Sequence, residues 1–148
     1  MNVFLVHHAD AVGPDVDPQR PLSRLGRRQA DALAVQLKHA GCAPAVIWHS
    51  GKLRARQTAE AMLRVCNPFA EFKMIRGLRP DDPPDWVRDL LVGESRDVML
   101  VGHMPSLPAI ASALAREPRT FPLHGAMIFE RNESGWTEKA KIENTEKG

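Results

Sequence analysis

The chain is short of features that define whole classes of protein. It has two cysteines, Cys42 and Cys66, in 148 residues, and they lack metal-ligand spacing. With no basic leader at Met1-Asn2-Val3, both are expected to be reduced thiols of a cytoplasmic protein. No apolar run approaches the roughly 20 residues that span a bilayer, so no membrane partner is expected. The formal net charge of +2 is too small to argue for nucleic acid. Neither zinc-finger spacing nor an aromatic nucleotide-stacking motif is present. There is no internal repeat, low-complexity tract or linker, which makes residues 1–148 a single expected domain. Oligomeric state is not legible.

What is present is ordinary globular composition, 43% hydrophobic and 26% charged, arranged as alternating strands and helices. The first strand is expected over Val3–His7, followed by a Gly/Pro loop to Leu22. Ser23 is a good N-cap for a helix to Ala40, with Leu22, Leu25, Leu33, Leu37 and Ala40 as its apolar stripe. Gly41 ends that helix. A strand at Ala45–Trp48 and a helix over Arg54–Cys66 follow. Next come a weak strand at Glu71–Met74 and a helix ending at Val92, with Trp86, Val87, Leu90 and Leu91 inward. A strong strand at Asp97–Val101 leads through Pro105 into a helix ending at Ala115. Ala126–Arg131 and Trp136–Ile142 form an expected hairpin, and Glu143–Gly148 an expected frayed end. The order implies an α/β fold, three layers with helices on both faces of a mostly parallel sheet.

Three strands end in chemistry. Val3–Val6 runs into His7-His8-Ala9-Asp10, Ala45–Trp48 into His49-Ser50-Gly51-Lys52-Leu53-Arg54, and Val98–Val101 into Gly102-His103-Met104-Pro105. Open α/β sheets place ligands at the carboxyl ends of their strands. A neutral imidazole is a good nucleophile for phosphorus. An arginine fork and a second imidazole suit the equatorial oxygens of a transferred phosphoryl group. His39 complements a helix dipole, and His49 and His124 read as surface or internally satisfied histidines. Arg20, Arg24, Arg27 and Arg28 read mainly as a solvated face.

Taken together, these segments resemble the histidine phosphatase superfamily, and within it the small SixA-like phosphohistidine phosphatases. The family's opening Arg-His-Gly is His7-His8-Ala9 here. Its Arg-Pro-Leu-Ser segment with a trailing glycine is Arg20-Pro21-Leu22-Ser23-Arg24-Leu25-Gly26. Its Ser-Pro-x-x-Arg-Ala-x-Gln-Thr-Ala motif is Ser50-Gly51-Lys52-Leu53-Arg54-Ala55-Arg56-Gln57-Thr58-Ala59. Its Gly-His-x-Pro is Gly102-His103-Met104-Pro105. The resemblance implies a phosphoglycerate mutase-like fold and a phosphatase that needs no cofactor or metal. It implies His8 as the phospho-accepting nucleophile, with His7, Arg54 and His103 binding phosphate. Its substrate would be a phosphorylated protein, a phosphohistidine protein first among them, or a small phosphoester. Asp81, with Asp82 beside it, is the nearest candidate general acid.

Two departures carry expectations. His7 replaces the motif arginine and would supply charge only when protonated, which predicts a narrow, bell-shaped pH dependence. The methyl of Ala9 is expected to crowd the phosphate loop. Two competing readings follow. One is a degenerate fold that binds phosphate or a phosphoprotein without turnover. The other is a metal protein using His7, His8, Asp10 and His103, disfavoured because adjacent strand residues point to opposite faces.

Overall fold

A computed structural model describes residues 1–148. Ten elements alternate along the chain: β1 (Asn2–His7), α1 (Arg24–His39), β2 (Val46–His49), α2 (Leu53–Cys66), β3 (Glu71–Met74), α3 (Pro84–Val92), β4 (Val98–Gly102), α4 (Ser106–Ala115), β5 (Ala126–Asn132) and β6 (Gly135–Ile142). They build one six-stranded sheet in the order β3-β2-β4-β1-β5-β6. β1 to β4 are mutually parallel, and β5 and β6 close one side as an antiparallel hairpin. The expected three-layer α/β/α arrangement is present.

Strand alternation sorts the core into two faces. Phe4, Val6, Ile47, Met99, Val101 and Ile128 pack against Leu33, Leu37, Ala55, Ala59 and Met62 of α1 and α2. Val3, Leu5, Val98, Leu100 and Phe129 pack against Val87 and Leu91 of α3 and Leu107 and Ile110 of α4. The central strands are covered on both sides, which is why they read as unbroken apolar runs rather than alternating ones. No helix is long and apolar enough to cross a membrane, and both cysteines are free.

Register aligns the strand ends. His7 pairs with Gly102, and His49 pairs with Val101. The carboxyl ends of β1, β2 and β4 therefore open onto one rim. Gly26 sets how closely α1 approaches this rim. A Cβ on Gly26 would lie 1.9 Å from the Asp10 carbonyl oxygen. The Ser23 hydroxyl caps α1 by accepting from the Gly26 N–H at 3.0 Å and donates to the Asp10 carboxylate at 2.5 Å.

Several local expectations are corrected. Trp86 and Leu90 are each 46% exposed, because the nine-residue α3 turns only Val87 and Leu91 onto the sheet. Ala40 is exposed at the C-cap of α1 rather than on its apolar stripe. The end of the chain is not frayed. Asn144 is 4% exposed. Its side-chain amide donates to the carbonyls of Gln29 and His124, both at 2.9 Å. Gln36 donates to the Glu143 carbonyl at 2.8 Å, and Gln29 donates to that of Glu146. Polarity alone suggested a loose tail. Amide side chains on α1 and in the tail itself instead satisfy its backbone.

Gly26→Ala is expected to destabilise the protein by about 2 kcal/mol or more, against the gain of about 1 kcal/mol that alanine brings to an open helix. Chemical denaturation of the two proteins checks this. A neutral or stabilising result would show that α1 is free to move off the Asp10 carbonyl.

Candidate phosphoryl site

Four imidazoles meet where β1 and β4 end. The His7 and His8 ring centroids are 4.4 Å apart, those of His8 and His103 4.9 Å, and those of His7 and His124 4.9 Å with the last two stacked within 4°. The expectation that His7 and His8 diverge is wrong. β1 stops at His7, and His8 lies past the last residue held to strand alternation. Its backbone N–H donates to the Gly102 carbonyl, and its ring turns back beside that of His7.

Hydrogen bonding fixes what each ring offers. His8 Nδ1 lies 2.7 Å from the Ala9 carbonyl oxygen, which can only accept. The His8 proton is therefore on Nδ1, and Nε2 carries a free lone pair. His7 Nδ1 accepts from the His124 backbone N–H at 2.8 Å. Neutral His7 thus holds its proton on Nε2 and presents a donor. His103 Nε2 is 2.6 Å from the Ser50 hydroxyl, which also accepts from the Lys52 N–H at 3.2 Å. When Ser50 donates to Nε2, His103 keeps its proton on Nδ1. That buried Nδ1 has no protein partner, and neither does the buried Nε of Arg54.

Burial, reinforced by neighbouring cations and imidazoles, lowers the basicity of these rings. His7 falls to about 2, chiefly through desolvation and then through His8 and His124. His8 falls to about 4, through burial and the charges of Arg54 and Arg20, against the bond to Ala9. His103 falls to about 3, through burial first and then His8, Arg54 and Lys52. Burial thus disfavours, in the unliganded chain, the charge that His7 would supply when protonated. Its ring is neutral, with Nδ1 already occupied. Arg54 is itself pulled below its ordinary value by burial and by Arg20, and its guanidinium remains a cation.

The motif around Arg54 supplies the scaffold. The Ala9 N–H donates to the Thr58 hydroxyl at 3.0 Å, and that hydroxyl donates to the Arg54 carbonyl at 2.8 Å. Gln57 accepts from the Leu22 N–H at 2.7 Å. Gln29 accepts from the Asp10 N–H at 2.9 Å. The loop after His8, the proline loop and α2 are thereby stitched together by side-chain amides and one hydroxyl. The Ala9 methyl does not crowd this loop. It is buried with Leu22, Ala30 and Ala61, and its φ is not in the left-handed region that would require glycine.

Not every candidate joins the cluster. Asp10 is engaged with Ser23 and lies outside it. Asp81 is exposed on a surface groove that also bears Pro80, Pro105 and Ser106. Asp82 accepts from the Gly77 and Arg79 N–H groups at 3.0 Å each and shapes the turn before α3. His49 is buried at the end of β2 and accepts from the Gly51 N–H. Two groups join the cluster that the sequence reading had placed mainly on a solvated face or as a surface or satisfied histidine, Arg20 and His124. Arg20, at φ +52° with its Nε donating to the Val12 carbonyl, acts electrostatically on His8, His103 and Arg54. His124, more than a hundred residues from β1, sits on the two N-terminal histidines. Only the Pro122-Leu123-His124-Gly125 turn before β5 hinted at a built loop.

One nitrogen each from His7, His8 and His124 lies within 4.8 Å of the others, a spacing that suits a metal. The tautomers oppose it. With all three Nδ1 atoms engaged by backbone, Nε2 is what each ring has left to offer, and on His7 that atom bears a proton. The three neutral rings present a donor on His7 and lone pairs on His8 and His124, beside the cations Arg54 and Arg20.

The sequence model of the histidine phosphatase superfamily, branch 1, matches residues 8–87. No curated protein matches the chain by sequence. Among solved structures, the chain is similar to the protein histidine phosphatase SixA complexed with tungstate, at 24% identity over 97% of each chain with a TM-score of 0.85. It is also similar to phosphoserine phosphatase of Entamoeba histolytica in complex with 3-phosphoglyceric acid, at 13% identity over 98% of each chain with a TM-score of 0.76. Likeness at these identities shows the fold.

The neutral, buried rings set a pH dependence of stability. A histidine whose folded value lies below its unfolded value of about 6.5 stabilises the fold fully above that pH and less as pH falls toward the folded value. Unfolding free energy is therefore expected to drop between about pH 6.5 and 4, by up to ~1.4 kcal/mol per pH unit for each ring. Urea denaturation across that range checks this, and His103→Gln should flatten the slope by close to one proton. An unchanged slope would mean that His103 is not held neutral by burial.

Proposed function

Because the chain belongs to the histidine phosphatase superfamily, we propose that it is a phosphatase working through a covalent phosphohistidine on His8, with phosphohistidine proteins as its main substrates. The observation that carries this is the pair of buried nitrogens without protein partners: Arg54 Nε, a donor, and His103 Nδ1, a donor when Ser50 donates to Nε2. Leaving such groups unpaired in an interior costs free energy. A tetrahedral oxyanion beside His8 would pair both. The similar SixA structure carries tungstate, an oxyanion of that shape.

In the first step the Nε2 lone pair of His8 attacks phosphorus. The N–P bond forms as the bond to the leaving group breaks, and the leaving group departs with the electron pair. Arg54, His103 and the Nε2–H of His7 hold the equatorial oxygens. Water then attacks phospho-His8, returning the electron pair to Nε2 and releasing phosphate. His8 needs no base, because it is already neutral with Nδ1–H bonded to Ala9.

The substrate class follows from the leaving group. A phosphorylated imidazole that bears a proton on its other nitrogen leaves as neutral imidazole and needs no general acid. An alkyl phosphate does need one, and Asp81, exposed beside Pro105, is the carboxylate we assign to that lesser activity. No step requires a metal.

Phosphate release from a phosphohistidine-bearing protein, in metal-free buffer, is expected for the native chain and lost at least about a thousandfold in His8→Ala. The acid limb of kcat/KM should fall near pH 4, where His8 protonates in the free enzyme. Release that survives in His8→Ala would overturn the assignment. No release from either protein, with phosphate still bound through Arg54, would identify a binding module instead.

A further inference from the structure

His124 is held more tightly than a turn residue needs to be. Its backbone is left-handed, at φ +55°, without being glycine. Its N–H donates to His7 Nδ1 at 2.8 Å, its ring Nδ1 to the His8 carbonyl at 2.7 Å, and its carbonyl accepts from Asn144 at 2.9 Å. Strained non-glycine backbone fixed by several partners is a mark of functional placement. The side chain so placed stacks on His7, at the position where the resemblance has its arginine.

The chemistry of the two rings differs. His7 offers Nε2–H, a neutral donor. His124 must carry a proton on Nδ1 to bond the His8 carbonyl, so its Nε2 is bare in the neutral form and would repel a phosphoryl oxygen. It can bind that oxygen only as a cation.

Resting on the phosphoryl-site reading above, we propose that His124 contacts the transferred group and takes up a proton as it binds, so that His7 and His124 together replace the arginine fork. The proton adds to Nε2, the atom that then donates, and no covalent bond is made or broken. A guanidinium brings two donors and a fixed charge. The stacked pair brings two donors and a charge that exists only with the ligand. The groups facing this pair are His8 and His103, with Arg54 and Arg20 acting on the same cluster. On the far side Glu143, Glu146 and Lys147 share a cavity with His124.

Sulfate is the probe, since it is tetrahedral, dianionic and does not itself titrate near neutrality. Isothermal calorimetry of the full chain at about pH 8, in two buffers of different protonation enthalpy, should show close to one proton taken up per sulfate, with affinity falling nearly tenfold per pH unit. His124→Asn keeps a residue that tolerates the left-handed backbone. It should bind more weakly and lose most of the proton uptake. Nitrogen-15 spectra of the native imidazoles should place the new proton on His124 Nε2, a readout that needs no variant. Uptake unchanged in His124→Asn, or a proton arriving on His7 or His103, would overturn the inference and leave the phosphatase reading standing. Failure of sulfate to bind the native chain would overturn both.

Discussion

Three backbone hydrogen bonds govern this site. The Ala9 carbonyl orients His8, the His124 N–H orients His7, and the His8 carbonyl orients His124. Each removes one nitrogen from play and thereby decides whether the other is a lone pair or a donor. Without them, four clustered imidazoles would be interchangeable, and a metal would be as good an occupant as a phosphoryl group. With them, the neutral cluster is polarised: lone pairs on His8 and His124, a donor on His7, and no carboxylate within it. On the proposed reading, such preorganisation fixes the orientation of groups before charge develops on a reacting phosphorus.

Those bonds hold only while the loops that bear them are held. β1 delivers His7 and His8, but the chain beyond it would be free without Thr58, Gln57, Gln29 and Asn144. Each of these is an uncharged polar side chain bonded to backbone. Charged residues at these places would add further fields to a site whose rings are already biased by Arg54, Arg20 and Lys52. Amides and a hydroxyl satisfy buried backbone groups with little net charge. Glycine at position 26 has a steric reason instead: there α1 rests on the Asp10 carbonyl, leaving no room for a Cβ.

Much of this was legible in the sequence. Apolar runs ending in His7-His8, His49-Ser50 and Gly102-His103 identify the strand ends, and the family resemblance at Arg54, Gln57 and Thr58 pointed to the helix beside them. Part of what could not be read depends on pairings between distant segments. His124 belongs to the site because β5 pairs antiparallel with β1, and nothing local at Leu123-His124-Gly125 says so. The tail looked loose because its partners, Gln29 and Gln36, lie on α1. Trp86 looked buried because periodicity reports which residues are apolar, not how wide a face a short helix can cover. The divergence expected of His7 and His8 failed because the alternation rule ends with the strand.

The replacement of a motif arginine by His7 then acquires a physical meaning. A permanent guanidinium at that position would lie among Arg54 and Arg20 in a largely buried setting, and burial of like charges is costly unless an anion is always present. A neutral, stacked ring avoids that cost in the unliganded chain, as the depression of His7 to about 2 shows. It also gives up affinity unless something else brings charge when the anion binds. Only a group that is adjacent, free at one nitrogen and able to titrate can do so without disturbing the nucleophile. Of the rings beside His7, His8 must keep its lone pair, and His124 is the one held in place by both the backbone of the nucleophile and the end of the chain. On the proposed reading, His7 and His124 act as one unit drawn from two distant places in the sequence.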